Sequence, residues 1–105
     1  MTAIPVTWFL ALSGAMLAVG IFGLLTRRNF ILILIAIEIG MNATILNFVY
    51  FAAYSSGGAG LSGQAIAVIL IGFAATEVAV GLAIVLGLNR LKGTINVAQA
   101  TELRE

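Results

Sequence analysis

Two glutamates lie inside apolar stretches of the chain, where a charged side chain is costly. Glu38 lies within ILILIAIEIGMNATILNFVYF (31–51), and Glu77 lies within ILIGFAATEVAVGLAIVLGL (69–88). A charged residue at the centre of a membrane helix costs roughly 2.5–3.5 kcal/mol on insertion scales. Because desolvation disfavours the charged form of a carboxyl group, each side chain can be neutral or charged according to its surroundings. Such residues typically carry protons, so we predict that Glu38 and Glu77 are proton-transfer sites.

The neighbours of the two glutamates suit this chemistry. Asn42 follows Glu38 by four residues, so on a helix its amide falls on the same face and is placed to hydrogen-bond the carboxyl group or hold a water. Ala74 and Gly81 share a helix face with Glu77, and small residues let another helix approach closely. We therefore expect Glu77 to point into a seam between helices and not at lipid. The residues alone leave open a purely structural role, in which each glutamate hydrogen-bonds a neighbouring helix.

Composition identifies the solvent that surrounds this chain. Of its 105 residues 62% are hydrophobic and 9% are charged, whereas an ordinary soluble domain carries about 25% charge. So few polar residues cannot cover a chain in water, and the solvent must be lipid. The sequence has no Cys and no His, which excludes disulfides, thiolate chemistry and haem ligation by histidine. Its basic residues form no patch with exposed aromatic residues, so nucleic acid is not an expected partner.

Three apolar runs are long enough to cross a bilayer as helices, which takes about 20 residues each. They cover about 4–25, 30–54 and 64–88, and together they predict one all-α integral membrane domain over 1–105. The turn-rich sequence SSGGAGLSG (55–63) is expected to be a loop between the second and third spans. The polar residues 89–105 are expected to form a tail that frays or lies on a partner.

Charge placement predicts the orientation of the spans. Arg27 and Arg28 lie between the first two spans, and Arg90 and Lys92 follow the third. With three spans, both places fall on one side, which the positive-inside rule makes cytoplasmic. The N-terminus is then outside and the C-terminus cytoplasmic. Three aromatic side chains are expected to be anchors near the outer headgroups: Trp8, Tyr50 and Tyr54.

Two stretches carry a more specific pattern, GIFGLLTRRNFILILIAIEIGMNA (20–43) and AATEVAVGLAIVL (74–86), with GQ at 63–64. In order and spacing they resemble the subunit K family of the proton-pumping NADH:quinone oxidoreductase, respiratory complex I. That family has a Gly-x-x-Gly turn, an Arg/Asn link, an acidic residue followed by a Met/Leu-Asn-Ala triplet, and Ala-x-Glu-x-x-x-Gly-Leu. The resemblance covers nearly the whole chain. Gly40 departs from it, since a bulkier Leu or Met is expected at that position.

The resemblance implies a non-redox, membrane-arm subunit of a proton-translocating complex. Glu38 and Glu77 would be membrane carboxylates on a polar axis through neighbouring subunits, with Asn42 beside the first and Arg27 and Arg28 forming a supporting basic link. The chain itself would bind no cofactor; quinone, flavin and iron–sulfur clusters would lie in other subunits. Its partners would be antiporter-like and small membrane subunits within the lipid bilayer. Its location would be a prokaryotic plasma (inner) membrane.

Two other functions stay open on the sequence alone. One is the small subunit of a multisubunit cation/proton antiporter, which we expect to lack this glutamate pair in these flanks. The other is a structural subunit that only fills a gap in an assembly. A small multidrug transporter would need a fourth span and a glutamate in its first span, and a rotary-ATPase ring subunit would have two spans. The electron donor of the parent complex, whether NADH, ferredoxin or a deazaflavin, is also left open.

Overall fold

The computed structural model describes residues 4–54 and 60–101, and the chain forms three long helices followed by a short one. Helix α1 spans Val6–Thr26, α2 spans Phe30–Tyr54, α3 spans Gly60–Lys92 and α4 spans Val97–Ala100. The first three are long and apolar enough to cross a membrane. The predicted all-helical membrane fold is confirmed.

The link between α1 and α2 is short, and hydrogen bonds define the helix end on each side of it. Arg27 takes an extended conformation with ψ 140°, and its amide still donates to the Gly23 oxygen at 3.0 Å. The side-chain oxygen of Asn29 then accepts from the amide of Ile31 at 2.9 Å. This contact caps the start of α2, where backbone N–H groups lack helical partners.

Helix α3 is longer than the span predicted at 64–88. Residues 60–63, expected in a loop, are helical, while residues 55–59 of that loop lie outside the described residues. At its other end α3 continues to Lys92 and stops at Gly93, whose φ of 66° is a left-handed conformation that glycine adopts freely. At 1.5 Å per residue α3 is roughly 48 Å long, so it tilts or extends beyond a hydrocarbon layer of about 30 Å.

Residues 93–101 of the predicted tail pair with the link between α1 and α2. The amide of Phe30 donates to the Ile95 oxygen at 3.0 Å, and the amide of Val97 donates to the Arg28 oxygen at 2.7 Å. The side chain of Asn96 then caps α4. The pairing holds the two basic clusters of the sequence at the same end of the molecule, and residues 102–105 of the predicted tail lie outside the described residues.

Helix α2 lies between α1 and α3 and packs on both, while α1 and α3 have few contacts with each other. Small residues control the α1–α2 contact. A Cβ on Gly20 would lie 2.8 Å from the Ala36 oxygen and 3.0 Å from the Gly40 nitrogen. The backbones of the two helices therefore meet directly, and the glycine at position 40, unusual for the resemblance, belongs to this contact.

Tyr50 has a different role from the predicted one. It is 8% exposed, its hydroxyl donates to the Ile4 oxygen at 3.2 Å, and its ring lies 4.2 Å from that of Phe9. The prediction of an interface anchor is wrong here because the ring packs between α1 and α2. Trp8 and Tyr54 are exposed on the surface at the same end, as an anchor requires.

Most of the apolar surface remains outside the helix contacts. Within the described residues the buried side chains are mainly alanines, and no large side chain is fully buried. Large apolar side chains are exposed along all three long helices. The exterior therefore requires lipid or other membrane helices around it.

Candidate functional site

Two close contacts set the register of α2 against α3, and that register brings Glu38 and Glu77 to the same height. A Cβ on Gly63 would lie 2.6 Å from that of Ala52, and a Cβ on Gly81 would lie 2.5 Å from the tip of Leu34. Leu34 precedes Ala52 by eighteen residues, and Gly81 follows Gly63 by eighteen. The two helices are thus antiparallel, and equal numbers of residues separate the two contacts on each helix. Glu38 follows Leu34 by four residues and Glu77 precedes Gly81 by four, so they are level.

The two glutamates nevertheless lie on opposite flanks of the α2–α3 contact. Glu38 lines a groove with Val78 and Leu82. At 100° per residue, Val78 is rotated about 60° from Gly81 in one direction and Glu77 about 40° in the other. Glu38 therefore shares a flank with Val78, and Glu77 projects on the other flank.

The groove at Glu38 has an entirely apolar surface, to which Glu38 contributes only the apolar part of its side chain. It has a volume of about 230 Å³ and is open to the outside, with walls formed by Ile31, Ile35, Ile39, Val78 and Leu82. Glu38 itself is half-buried. The groove therefore offers an apolar surface beside the glutamate and no polar partner for it.

Glu77 is exposed and differs from the expected seam residue. Ala74 is buried against α2, and Gly81 meets Leu34, so the small residues around Glu77 do form a seam. Glu77 lies at the edge of that seam and outside it. The reason is angular, because the contact line runs through Gly81 and Glu77 is rotated away from it. The side chain thus faces either lipid or a partner helix.

The predicted supporting amide does not bond either carboxyl group. Asn42 lies one turn beyond Glu38 on the same flank and is exposed. Across residues 4–54 and 60–101, Glu38, Glu77 and Asn42 take part in no side-chain hydrogen bond. The described part of the chain therefore leaves both carboxyl groups available to groups outside it.

The basic link is separate from the glutamates. Glu38 lies eight residues into α2, roughly 12 Å from its start, and Arg27 and Arg28 precede that start. Both arginines are exposed, and Arg27 lines a different groove, between α1 and α2. The arginines do not contact Glu38, so any effect of their charge on it is a long-range electrostatic interaction.

Several residues that shape the site escape sequence reasoning. The walls provided by Val78 and Leu82, and the contact of Leu34 with Gly81, depend on the register of two helices. A Leu or Val in an apolar run gives no signal of such a position. Thr76, which adjoins Glu77, donates to the Gly72 oxygen of its own helix at 2.8 Å and has no part in the groove.

The site offers the chemistry of two carboxyl groups. Within the described residues no three His, Cys, Asp or Glu side chains lie together as a metal site would require. A carboxyl group at mid-membrane depth can accept or release a proton when a neighbouring charge or water changes its environment. Two such groups at one height, on opposite flanks, are each reached from a different side of the α2–α3 pair.

The chain is similar to known proteins over its whole length. The family model described as NADH-ubiquinone/plastoquinone oxidoreductase chain 4L matches residues 8–105. An NADH-quinone oxidoreductase subunit K from an Anaeromyxobacter species is 39% identical over 102 residues, which is 97% of this chain and 99% of the relative. The subunit K of Deinococcus radiodurans is 42% identical over 101 residues, 96% of this chain and 95% of the relative.

A cyanobacterial relative carries a different name. The NAD(P)H-quinone oxidoreductase subunit 4L of a Synechococcus species is 41% identical over 97 residues, which is 92% of this chain and 94% of the relative. The similarity thus extends across proteins whose names give different electron donors.

Proposed function

The chain belongs to the NADH-ubiquinone/plastoquinone oxidoreductase chain 4L family, and from that premise we propose that it is the small membrane-arm subunit of a respiratory NADH:quinone oxidoreductase, complex I. In this complex it acts as a non-redox translocase subunit. It contributes Glu38 and Glu77 to proton translocation coupled to quinone reduction. The observation that carries the proposal is the position of both carboxyl groups at one height on opposite flanks of the α2–α3 pair.

The geometry supports proton movement across the chain within the membrane plane. Protons reach Glu38 on one flank and leave Glu77 on the other. Both steps take place at the same depth in the membrane. The intervening contact is built of Leu34, Ala74 and Gly81 and provides no carrier of its own. Transfer between the two glutamates therefore requires water or polar groups at the edge of the seam.

The exposure of Glu77 supports the presence of partner subunits. A glutamate that faces lipid at the middle of a 33-residue helix is unfavourable. The natural solution is a neighbouring subunit that covers Glu77 with polar groups. We assign this role to the antiporter-like and small membrane subunits of the complex, and we expect them to cover both flanks of α2–α3.

The redox chemistry belongs to other subunits in this proposal. The sequence has no Cys or His with which to ligate an iron–sulfur cluster or a haem. Quinone, flavin and the clusters are expected elsewhere in the complex. Quinone reduction then acts on Glu38 and Glu77 indirectly, by changing the charge or hydration beside them.

The proposed orientation rests on the basic end of the molecule. Arg27, Arg28, Arg90 and Lys92 lie at the end where the tail pairs with the α1–α2 link. The positive-inside rule makes that end cytoplasmic. The named relatives are bacterial, which supports a prokaryotic plasma membrane as the location. The family match does not favour the antiporter alternative.

The experiment expresses the chain or a variant in a strain from which its gene has been deleted. Quinone reduction and proton uptake are then measured in membrane vesicles. We expect the wild-type chain to restore both activities. Glu38→Gln and Glu77→Gln keep the size of the glutamate, so the complex should assemble while proton uptake falls about 10²-fold or more. Thr76→Ala is the matched control next to Glu77, and it should retain proton uptake.

Two results would contradict the proposal in different ways. Normal pumping by both Gln variants would make the glutamates structural and the chain a scaffold. Unchanged NADH:quinone reduction in the strain without the chain would show that the chain is not a subunit of the complex.

A further inference from the structure

A second groove runs between α1 and α2 and shares Ile35 and Ile39 with the groove of Glu38. Its volume is about 320 Å³. Its walls are formed by Val19 and Phe22 of α1 and by Leu32, Ile35 and Ile39 of α2, and Arg27 lies at one end of it.

The shape of this groove follows from a small floor between bulky walls. Gly23 and Ala36 form the floor, where a Cβ on Gly23 would lie 2.8 Å from that of Ala36. Phe22 is 62% exposed and Ile35 is 50% exposed, so the walls project beyond the floor. The helices are close enough to seal the bottom, and the side chains above leave a narrow apolar channel.

The groove runs along the helix axes, from the end of α1 into the membrane. Arg27 follows the last residue of α1, and Val19 lies eight residues earlier, roughly 12 Å deeper. The guanidinium group therefore lies at the level where hydrocarbon gives way to headgroups. From there the apolar walls descend along the membrane normal, which is the direction of a lipid acyl chain.

The charge at this end suits an anionic headgroup. Arg28, Arg90 and Lys92 lie at the same end as Arg27, and the carboxyl groups among the described residues lie deeper, in α2 and α3. Arginine binds phosphate through two parallel hydrogen bonds. Basic pockets between membrane helices on the cytoplasmic side are a recurrent site for anionic lipid headgroups.

We propose that this groove binds an anionic phospholipid, with one acyl chain between α1 and α2 and its phosphate on Arg27. The apolar walls suit an acyl chain, and Arg27 at one end suits a phosphate. The site is distinct from the two carboxyl groups, since neither Glu38 nor Glu77 lines this groove.

The test uses the intact complex in nanodiscs of phosphatidylcholine that contain a trace of phosphatidylglycerol with a photoactivatable acyl chain. After illumination, mass spectrometry locates the labelled residues. We expect label on 19–27 and 32–39 of the wild-type chain. Arg27→Gln should lower that labelling about tenfold, as expected for the loss of a charged hydrogen bond. Arg28→Gln, the neighbouring arginine outside the groove, should leave it unchanged.

A second variant tests the groove without changing charge. Val19→Trp places a large side chain in the channel and should lower the labelling while Arg27 is retained. A phosphatidylcholine probe with the same photoactivatable chain should label the groove much less than the anionic probe. Subunit content of each purified variant shows whether the complex has assembled.

Three results would overturn the proposal. Absence of label in the wild-type groove would mean that a partner helix covers it. Equal labelling by the neutral and anionic probes would mean an ordinary lipid-facing surface. Labelling that survives Arg27→Gln in an assembled complex would remove the arginine from the site.

Discussion

The two helix contacts of this chain are built differently. At the α1–α2 contact, Gly20 brings backbone against backbone, with the Ala36 oxygen and the Gly40 nitrogen as its neighbours. At the α2–α3 contact, Gly81 meets the tip of the Leu34 side chain. A backbone cannot move aside without moving its helix, whereas a leucine can change rotamer. The first contact is therefore fixed, whereas the second is fixed where Gly63 meets Ala52 and can adjust where Gly81 meets Leu34.

Both glutamates lie beside the adjustable contact. Glu38 lines its groove and Glu77 lies at its edge on the opposite flank. The α1–α2 contact has no carboxyl group beside it in the described residues. One side of α2 therefore holds the subunit together, while the side that carries Gly81 and Leu34 can respond to neighbouring subunits. Two sets of substitutions test this division, and a third tests the pairing of the tail with the α1–α2 link.

The largest effect is expected at the fixed contact. Gly20→Val places two methyl groups where the Ala36 oxygen and the Gly40 nitrogen lie, so we expect the loss of stability to exceed about 3 kcal/mol. The measurement is the amount of assembled complex on a native gel. Gly14→Val is the control on the same helix, since a Cβ there meets nothing within 4 Å in this chain. Normal assembly of Gly20→Val would show that the two backbones are not in close contact.

A smaller and coupled effect is expected at the adjustable contact. Gly81→Ala should destabilise the subunit by about 1–2 kcal/mol, because the new methyl displaces the Leu34 tip. Leu34→Ala should cost about 2–3 kcal/mol through the cavity it leaves. The double variant should cost less than the two together by roughly 0.5–2 kcal/mol, since the added methyl occupies part of that cavity. Thermal disassembly midpoints give the comparison, and simple additivity would mean that the residues do not touch.

The smallest effect is expected where the tail meets the α1–α2 link. Gly93 has a φ of 66°, so Gly93→Ala should cost about 1 kcal/mol. Hydrogen exchange should quicken at the amides of Phe30 and Val97, which join the link to the tail. Gly87→Ala, within α3 and with nothing within 4 Å of its Cβ, is the control and should leave that exchange unchanged. Equal exchange in both variants would mean that Gly93 does not hold the tail in place.

The sequence predicts the helices well because length and apolarity decide membrane spans. Lipid leaves the backbone no partner but itself, so an apolar run of the right length becomes a helix. The same rule explains the error at 60–63, since a turn-like composition does not prevent glycines from continuing a helix that packs on α2. It also gives no hint that the polar segment after Gly93 pairs with the link before Phe30.

The sites are predictable in type but not in arrangement. A glutamate in an apolar run is conspicuous, so Glu38 and Glu77 are found from sequence alone. Their common height and opposite flanks depend on which small residues meet. Gly14 and Ala18 have the same small-residue spacing as a helix contact, yet both are exposed. Spacing alone therefore does not identify a helix contact. The structure does, because it shows Gly81 against Leu34 and nothing within 4 Å of a Cβ on Gly14.

The proton-transfer role of Glu38 and Glu77 is tested most directly by observing their protonation during turnover. Redox-induced infrared difference spectra of the intact complex would be recorded in the carbonyl region of protonated carboxylic acids. We predict a carboxyl band that changes when quinone is reduced. Glu38→Gln and Glu77→Gln should each remove a different component of that band. Spectra of both variants that superimpose on the wild type would contradict the claim that these glutamates exchange protons.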